Sequence, residues 1–213
     1  IKQRNQLKIA SNLMRSIEKE LPNKNSDLLF FYDKKVERFE RLEKLINKWK
    51  SLILKHPDLY VSCSFFSLDN KTYAEIKSDI KLPAASSIKV PILIILLTML
   101  DKGEILWDEK LTLTEDTIGG GSGWMAYQEI DKKFPVFEVA TEMIRVSDNT
   151  ATNLLIKRIG GIDKVNQKFK DIGLENTQIN NYLPDLGGTN LTSTKDLSLA
   201  MALVDGGYLL NVG

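Results

Sequence analysis

The chain alternates between one long apolar run, several amphipathic stripes and short polar breaks. Val90 to Leu100 is apolar at nearly every position. Such a run leaves no face for water and predicts a buried helix, closed by Gly103. It is too short to span a bilayer, so it predicts the core of a folded domain. Leu59 to Leu68 and Thr72 to Ile76 flank Asp69-Asn70-Lys71 and predict a β-hairpin. Leu106 to Leu113 is a further short alternating segment. Val136 to Ile159 reads as an apolar helical region with the polar triplet Ser147-Asp148-Asn149 inside it. Ile162 to Phe169 predicts a helix ending near Gly173, and Thr192 to Val204 another, started by Thr192 or Thr194.

The N-terminal part is more polar. Leu7, Ile9, Leu13, Met14 and Ile17 form a helical stripe over 1–21, and residues 22–27 are a polar break. A second amphipathic helix is expected with Val36, Phe39, Leu42, Leu45, Ile46, Trp49, Leu52 and Ile53 on one stripe, packed on a sheet rather than forming a coiled-coil seam. His56-Pro57 ends it. Residues 1–33 are therefore read as a helical extension and 34–213 as the main domain.

Composition narrows the classes. At 213 residues with 43% hydrophobic positions the chain can bury a sizeable core. A net charge of +1 gives no reason to invoke nucleic acid or a membrane surface. The single Cys63 excludes an internal disulfide and reads as a small hydrophobe in the run from Val61 to Phe66. His56 is the only histidine and sits beside a loop proline, so no Ser–His motif is present. Gly119-Gly120-Gly121-Ser122-Gly123 is not a phosphate loop, because no Gly-Lys-Ser/Thr follows it. No cofactor or metal is called for.

The candidate chemistry lies at the start of the apolar run. Ser86 and Lys89 are three apart and share a helix face, so the amine reaches the hydroxyl. Unpaired N–H groups at a helix start favour developing negative charge. Ser-x-x-Lys alone is a weak signal: Ser16 to Lys19 and Ser78 to Lys81 repeat it in polar surroundings, and Ser is an ordinary N-cap. Lys89 is different, because an unpaired ammonium against an apolar helix is costly.

Ser-x-x-Lys followed by Ser-Asp-Asn and then Lys-Thr-Gly is the signature of class A β-lactamases and penicillin-binding proteins. Pro83 to Leu93 resembles the first motif of that family, and Met143 to Leu155 with Gly160-Gly161 resembles the second. The resemblance runs from about Leu52 to the end. It implies an α+β fold with a mostly antiparallel sheet and helices on both faces, the Ser86 helix central. It implies Ser86 as nucleophile, Lys89 as base and Ser147 as proton relay. Asn149 would hold the substrate amide, and Asp148 would point inward to tie down its own loop. The Ser86 N–H would be one oxyanion donor. Residues 119–123 would overhang the mouth, with Trp124 and Tyr127 either as an aromatic substrate-binding rim or as pins of the loop. The implied partner is a β-lactam or a peptidoglycan peptide. Export to the periplasm or cell exterior is implied by resemblance only.

The chain also departs from the pattern. In class A enzymes a loop glutamate, in a Glu-Pro-x-x-Asn phrase, deacylates through a water. Aligned on Thr177, Pro184 and Leu186, that glutamate falls on Leu183 and the asparagine on Gly187. Asp185 is the nearest carboxylate, with Glu175 further back. No Lys-Thr-Gly occurs. The chain is therefore expected to be a fragment, its C-terminal strands cleaved, disordered or supplied by another chain. The expected activity is acyl-enzyme formation on Ser86 with slow deacylation, as in a D-alanyl-D-alanine peptidase. The alternatives are a true β-lactamase that uses another carboxylate and a non-catalytic binding module.

Overall fold

The fold is that of a computed structural model, which describes residues 28–32 and 35–205. The helix expected over 1–21 lies outside the described residues. Strands β1 (Leu28–Tyr32) and β2 (Lys35–Arg41) form an antiparallel hairpin. Helix α1 (Glu43–Ile53) follows, then the antiparallel pair β3 (Cys63–Ser67) and β4 (Thr72–Ile76). The four strands form one sheet in the order β1-β2-β4-β3. β2 meets β4 in parallel through Glu40–Thr72 and Arg41–Tyr73, while the other two pairings are antiparallel, so the sheet is mixed but mostly antiparallel, as expected.

Two expectations change here. The stripe from Val36 to Ile53 is a strand and then a helix, not one helix. Phe39 explains the break: it is 1% exposed and packs edge-on against Phe66, which stacks on Tyr73. That aromatic cluster, reached from β2, outweighs the local helical pattern. Residues 28–32 are likewise a strand, so the boundary drawn at residue 33 falls within the β1–β2 hairpin.

The remaining elements build a helical lobe. A two-residue strand β5 (Leu82–Pro83) leads into a 3₁₀ turn, Ala85–Ile88, which continues as α2 (Lys89–Asp101). Strand β6 (Lys110–Thr112) pairs with β7 (Lys133–Pro135). Helices α3 (Val136–Arg145), α4 (Asn149–Ile159) and α5 (Ile162–Asp171) follow. Strand β8 (Leu191–Thr192) pairs with β5, and α6 (Thr194–Asp205) follows it. The apolar region from Val136 to Ile159 is thus two helices, with Ser147-Asp148 in the break. Thr192 lies in β8, and the last helix starts at Thr194.

Helix α2 touches α3, α4, α5 and α6, and its buried face of Ile92, Ile95 and Leu96 is the centre of the main core. Gly103 follows it with φ +68, a conformation glycine adopts without strain. Helices flank the sheet: α1 packs on β4, and α6 bridges β3 to α2. The two short pairs, β5–β8 and β6–β7, anchor the ends of the loops around Ser86 and the glycine-rich segment. No helix among the described residues is long and apolar enough to cross a membrane.

Because Ile92 is fully buried at the centre of this lobe, Ile92→Ala is expected to cost about 2–5 kcal/mol, measured as a drop in the free energy of unfolding in urea. A loss below 1 kcal/mol would show that α2 is not the packing centre.

Candidate active site

Ser86 lies in the 3₁₀ turn ahead of α2 and is exposed, while Lys89 opens α2 and is 2% exposed. The turn is held from two sides. Ala84 N–H donates to Asn190 O at 2.7 Å, and Ser87 Oγ donates to Ala84 O at 2.6 Å. Ala85, between them, has φ +45, a left-handed conformation that costs a non-glycine residue about 1 kcal/mol or more.

Ser147 enters from the break between α3 and α4. It too is left-handed, with φ +59. That turn brings both its carbonyl and its hydroxyl to Lys89, whose Nζ donates to Ser147 O at 2.6 Å, to Ser147 Oγ at 2.8 Å and to Asn149 Oδ1 at 2.9 Å. The Ser147 hydroxyl donates to Ser86 Oγ at 2.9 Å, and Lys89 Nζ is 3.4 Å from Ser86 Oγ. The structure therefore brings together Ser86, Lys89, Ser147 and Asn149. Burial disfavours the charged amine and lowers the Lys89 pKa to about 8, partly offset by the nearby Asp148 carboxylate. An amine with that pKa spends an appreciable fraction of its time neutral near physiological pH.

Asp148 turns inward, fully buried, as the N-cap of α4. Its carboxylate accepts from the backbone N–H of Ala151, Trp124 and Met125 at 2.7–2.9 Å. It ties the glycine-rich loop to the helix that carries Asn149. Asn149 Nδ2 adds a bond to Gly120 O at 2.8 Å, and Asn149 N–H donates to Ser122 O at 3.0 Å. A Cβ at Gly123 would lie 2.1 Å from the Asp148 carboxylate, and one at Gly119 would lie 2.3 Å from Leu183 O. These two glycines are required by close approach.

The two aromatic candidates part company. Trp124 is half-buried, stacks edge-on against Phe134 and donates its indole N–H to Glu142 at 2.6 Å, so its contacts are those of a pin. Tyr127 is 81% exposed on the same loop.

Leu183 is 7% exposed and packs against the main core; the Leu183–Pro184 peptide is cis. Asn153 holds it by the backbone. The Asn153 carboxamide accepts from Leu183 N–H at 2.8 Å and donates to Leu183 O at 2.7 Å, and also to Thr117 O at 3.2 Å. Asp185 is engaged within the loop, accepting from Thr189 Oγ1 at 2.9 Å and from Asn190 N–H at 2.6 Å. Asn190 in turn accepts from the N–H groups of Asn180 and Asn181. Sequence reasoning missed Asn153, Glu142 and Asn190. The one available signal was Asn153, a polar residue four positions after Asn149 on the same face of α4. Among the described residues no group of three His, Cys, Asp or Glu side chains could hold a metal ion.

Comparison with known proteins agrees with this geometry. A family model described as the beta-lactamase enzyme family matches residues 42–212. A beta-lactamase of Bacillus licheniformis is 30% identical over 141 residues, covering 65% of this chain and 45% of that protein. The chain thus spans less than half the length of this curated relative. The solved structure of PBP-A superposes with a TM-score of 0.81 at 39% identity, over 84% of this chain and 67% of that one. A leucine-to-glutamate variant of PBP-A, solved as an acyl-enzyme complex with penicillin G, gives 0.79 at 39% identity, over 81% and 66%.

Removing the Asn153 carboxamide would leave the buried Leu183 N–H and C=O unpaired. Asn153→Ala is expected to cost about 2–4 kcal/mol, since each orphaned group costs ~1–3 kcal/mol. Amide hydrogen exchange at Leu183 should accelerate at the same time. Unchanged protection there would show that the loop is held by other contacts.

Proposed function

Because the chain belongs to the beta-lactamase enzyme family, we propose that it is a serine hydrolase that forms an acyl-enzyme on Ser86 with β-lactams or D-alanyl-D-alanine-type peptides and releases it slowly. The observation that carries this is the contact set of Lys89: a buried amine within 2.6–2.9 Å of Ser147 O, Ser147 Oγ and Asn149 Oδ1 and 3.4 Å from Ser86 Oγ. In the neutral form its lone pair takes the Ser86 proton as Oγ attacks the carbonyl carbon. The C–N bond then breaks, and the Ser147 hydroxyl passes a proton to the leaving nitrogen. Lys89 resupplies Ser147 over 2.8 Å. The Asn149 carboxamide retains one N–H beyond its bond to Gly120, which serves the substrate amide. The acyl-enzyme of the PBP-A variant with penicillin G supports the substrate class.

Slow release follows from what stands at position 183. Leucine accepts no proton, and both Asp185 oxygens are already bonded within their own loop. Without a positioned base, deacylation loses general-base assistance of about a hundred- to ten-thousand-fold, or roughly 3–5 kcal/mol of barrier. This favours a peptidase-like enzyme trapped by β-lactams over a fast β-lactamase.

Three outcomes are expected of the full-length protein. Lys89→Ala abolishes Ser86 labelling by a fluorescent penicillin while leaving the melting curve nearly intact; labelling at the wild-type rate would reject Lys89 as the base. The wild-type labelling rate rises about tenfold per pH unit and levels off above pH ~8, as a lysine of that pKa loses its proton. Mass spectrometry finds the Ser86 adduct persisting for minutes or longer, with weak bulk hydrolysis. Rapid turnover without accumulated adduct would show that a carboxylate elsewhere replaces the missing glutamate, and Leu183→Glu would then add little.

A further inference from the structure

Glu142 lies on α3, one turn and a half before Ser147, and is only 7% exposed. A carboxylate so far out of water must be paired. Arg145 supplies one partner from the next turn, with Nε to Oε1 at 2.9 Å and Nη2 to Oε2 at 2.7 Å. The second comes from the glycine-rich loop: the Trp124 indole N–H donates to Oε2 at 2.6 Å. These bonds, Arg145 first and then Trp124, hold the Glu142 carboxyl below the usual carboxylate range.

The same two residues also meet through the backbone. Glu142 O accepts from Asp148 N–H at 3.1 Å, and Trp124 N–H donates to the Asp148 carboxylate at 2.7 Å. The result is a closed ring: Glu142 side chain, Trp124 indole, Trp124 N–H, Asp148 carboxylate, Asp148 N–H, Glu142 carbonyl. Ser147 is the residue adjoining this ring, and it is left-handed. A non-glycine residue keeps such a conformation only where its surroundings over-determine it. The turn at Ser147 is what places its carbonyl and hydroxyl on Lys89 and its hydroxyl on Ser86.

We infer that Glu142 is a positioning residue for Ser147: by holding the Trp124 indole it closes the hydrogen-bonded ring that fixes the left-handed turn on which the Ser147 hydroxyl reaches Ser86. This rests on the reading that Ser86 is acylated, so wild-type labelling is the first measurement. A wild-type protein that takes up no fluorescent penicillin sinks that reading and the inference with it.

With wild-type labelling established, the second-order labelling rate and the melting temperature are measured for Glu142→Ala, Glu142→Gln, Trp124→Phe and the double variant Glu142→Ala/Trp124→Phe, all in the full-length protein. A loosened catalytic hydroxyl loses rate steeply, so Glu142→Ala and Trp124→Phe should each label at least about tenfold more slowly. Glu142→Gln keeps an acceptor for the indole and should stay within ~3-fold of wild type. The double variant should be no slower than the slower single variant by more than ~2-fold, as for residues that act as one unit. Wild-type labelling in Glu142→Ala or Trp124→Phe, whatever the melting temperature does, overturns the inference, as does a Glu142→Gln variant as slow as Glu142→Ala. If Glu142→Ala does not fold, Trp124→Phe decides alone, since it keeps a ring against Phe134.

Discussion

A lysine amine taken out of water is the constraint on which this site depends. Lys89 is carried inward by the most apolar of the described helices, and that helix cannot offer it a partner. Three oxygens from outside the helix do so, two from Ser147 and one from Asn149. Supplying them requires Ser147 to turn left-handed, α4 to start immediately after it, and the glycine-rich loop to close over Asn149. The hydrophobic burial that makes α2 the packing centre is thus also what makes the amine dependent on the break between α3 and α4. Packing and chemistry here are two readings of one helix.

Much of this was legible in the sequence because the relevant partners are close in the chain or announced by a local motif. Ser86 and Lys89 share one helix face, and the polar triplet at 147–149 stands out inside an apolar stretch. The inward turn of Asp148 came from the family resemblance rather than from the residues around it. What stayed hidden depends on residues far apart in sequence. Glu142 finds Trp124 eighteen positions away, and Asn153 finds Leu183 thirty positions away, and nothing local says which residue each will meet. The strand at 35–41 was hidden for a related reason. A short stripe of apolar residues fits a helix, and only the aromatic packing of Phe39 with Phe66 and Tyr73 selects the extended form.

The glycine-rich loop illustrates how composition misleads when read as mobility. Gly119 and Gly123 sit where a side chain would strike the backbone of Leu183 or the carboxylate of Asp148. The segment is bolted down by Asn149, Thr150 and Asp148 through its own backbone. Only Gly120 faces open space. The absence of side chains there buys close approach of two loops and a helix.

The grip of Asn153 on Leu183 has a consequence of another kind. Asn153 reads position 183 solely through its N–H and C=O, groups that every residue except proline possesses. Those two bonds would survive any non-proline substitution at 183, whereas the Leu183 side chain is held separately, by its packing against the main core. Backbone grip and side-chain packing are thus two separable supports of the loop at this position. A polar side chain placed there would keep the first support and forfeit the second, so the course of the loop and the burial of its residue 183 are owed to different parts of the molecule.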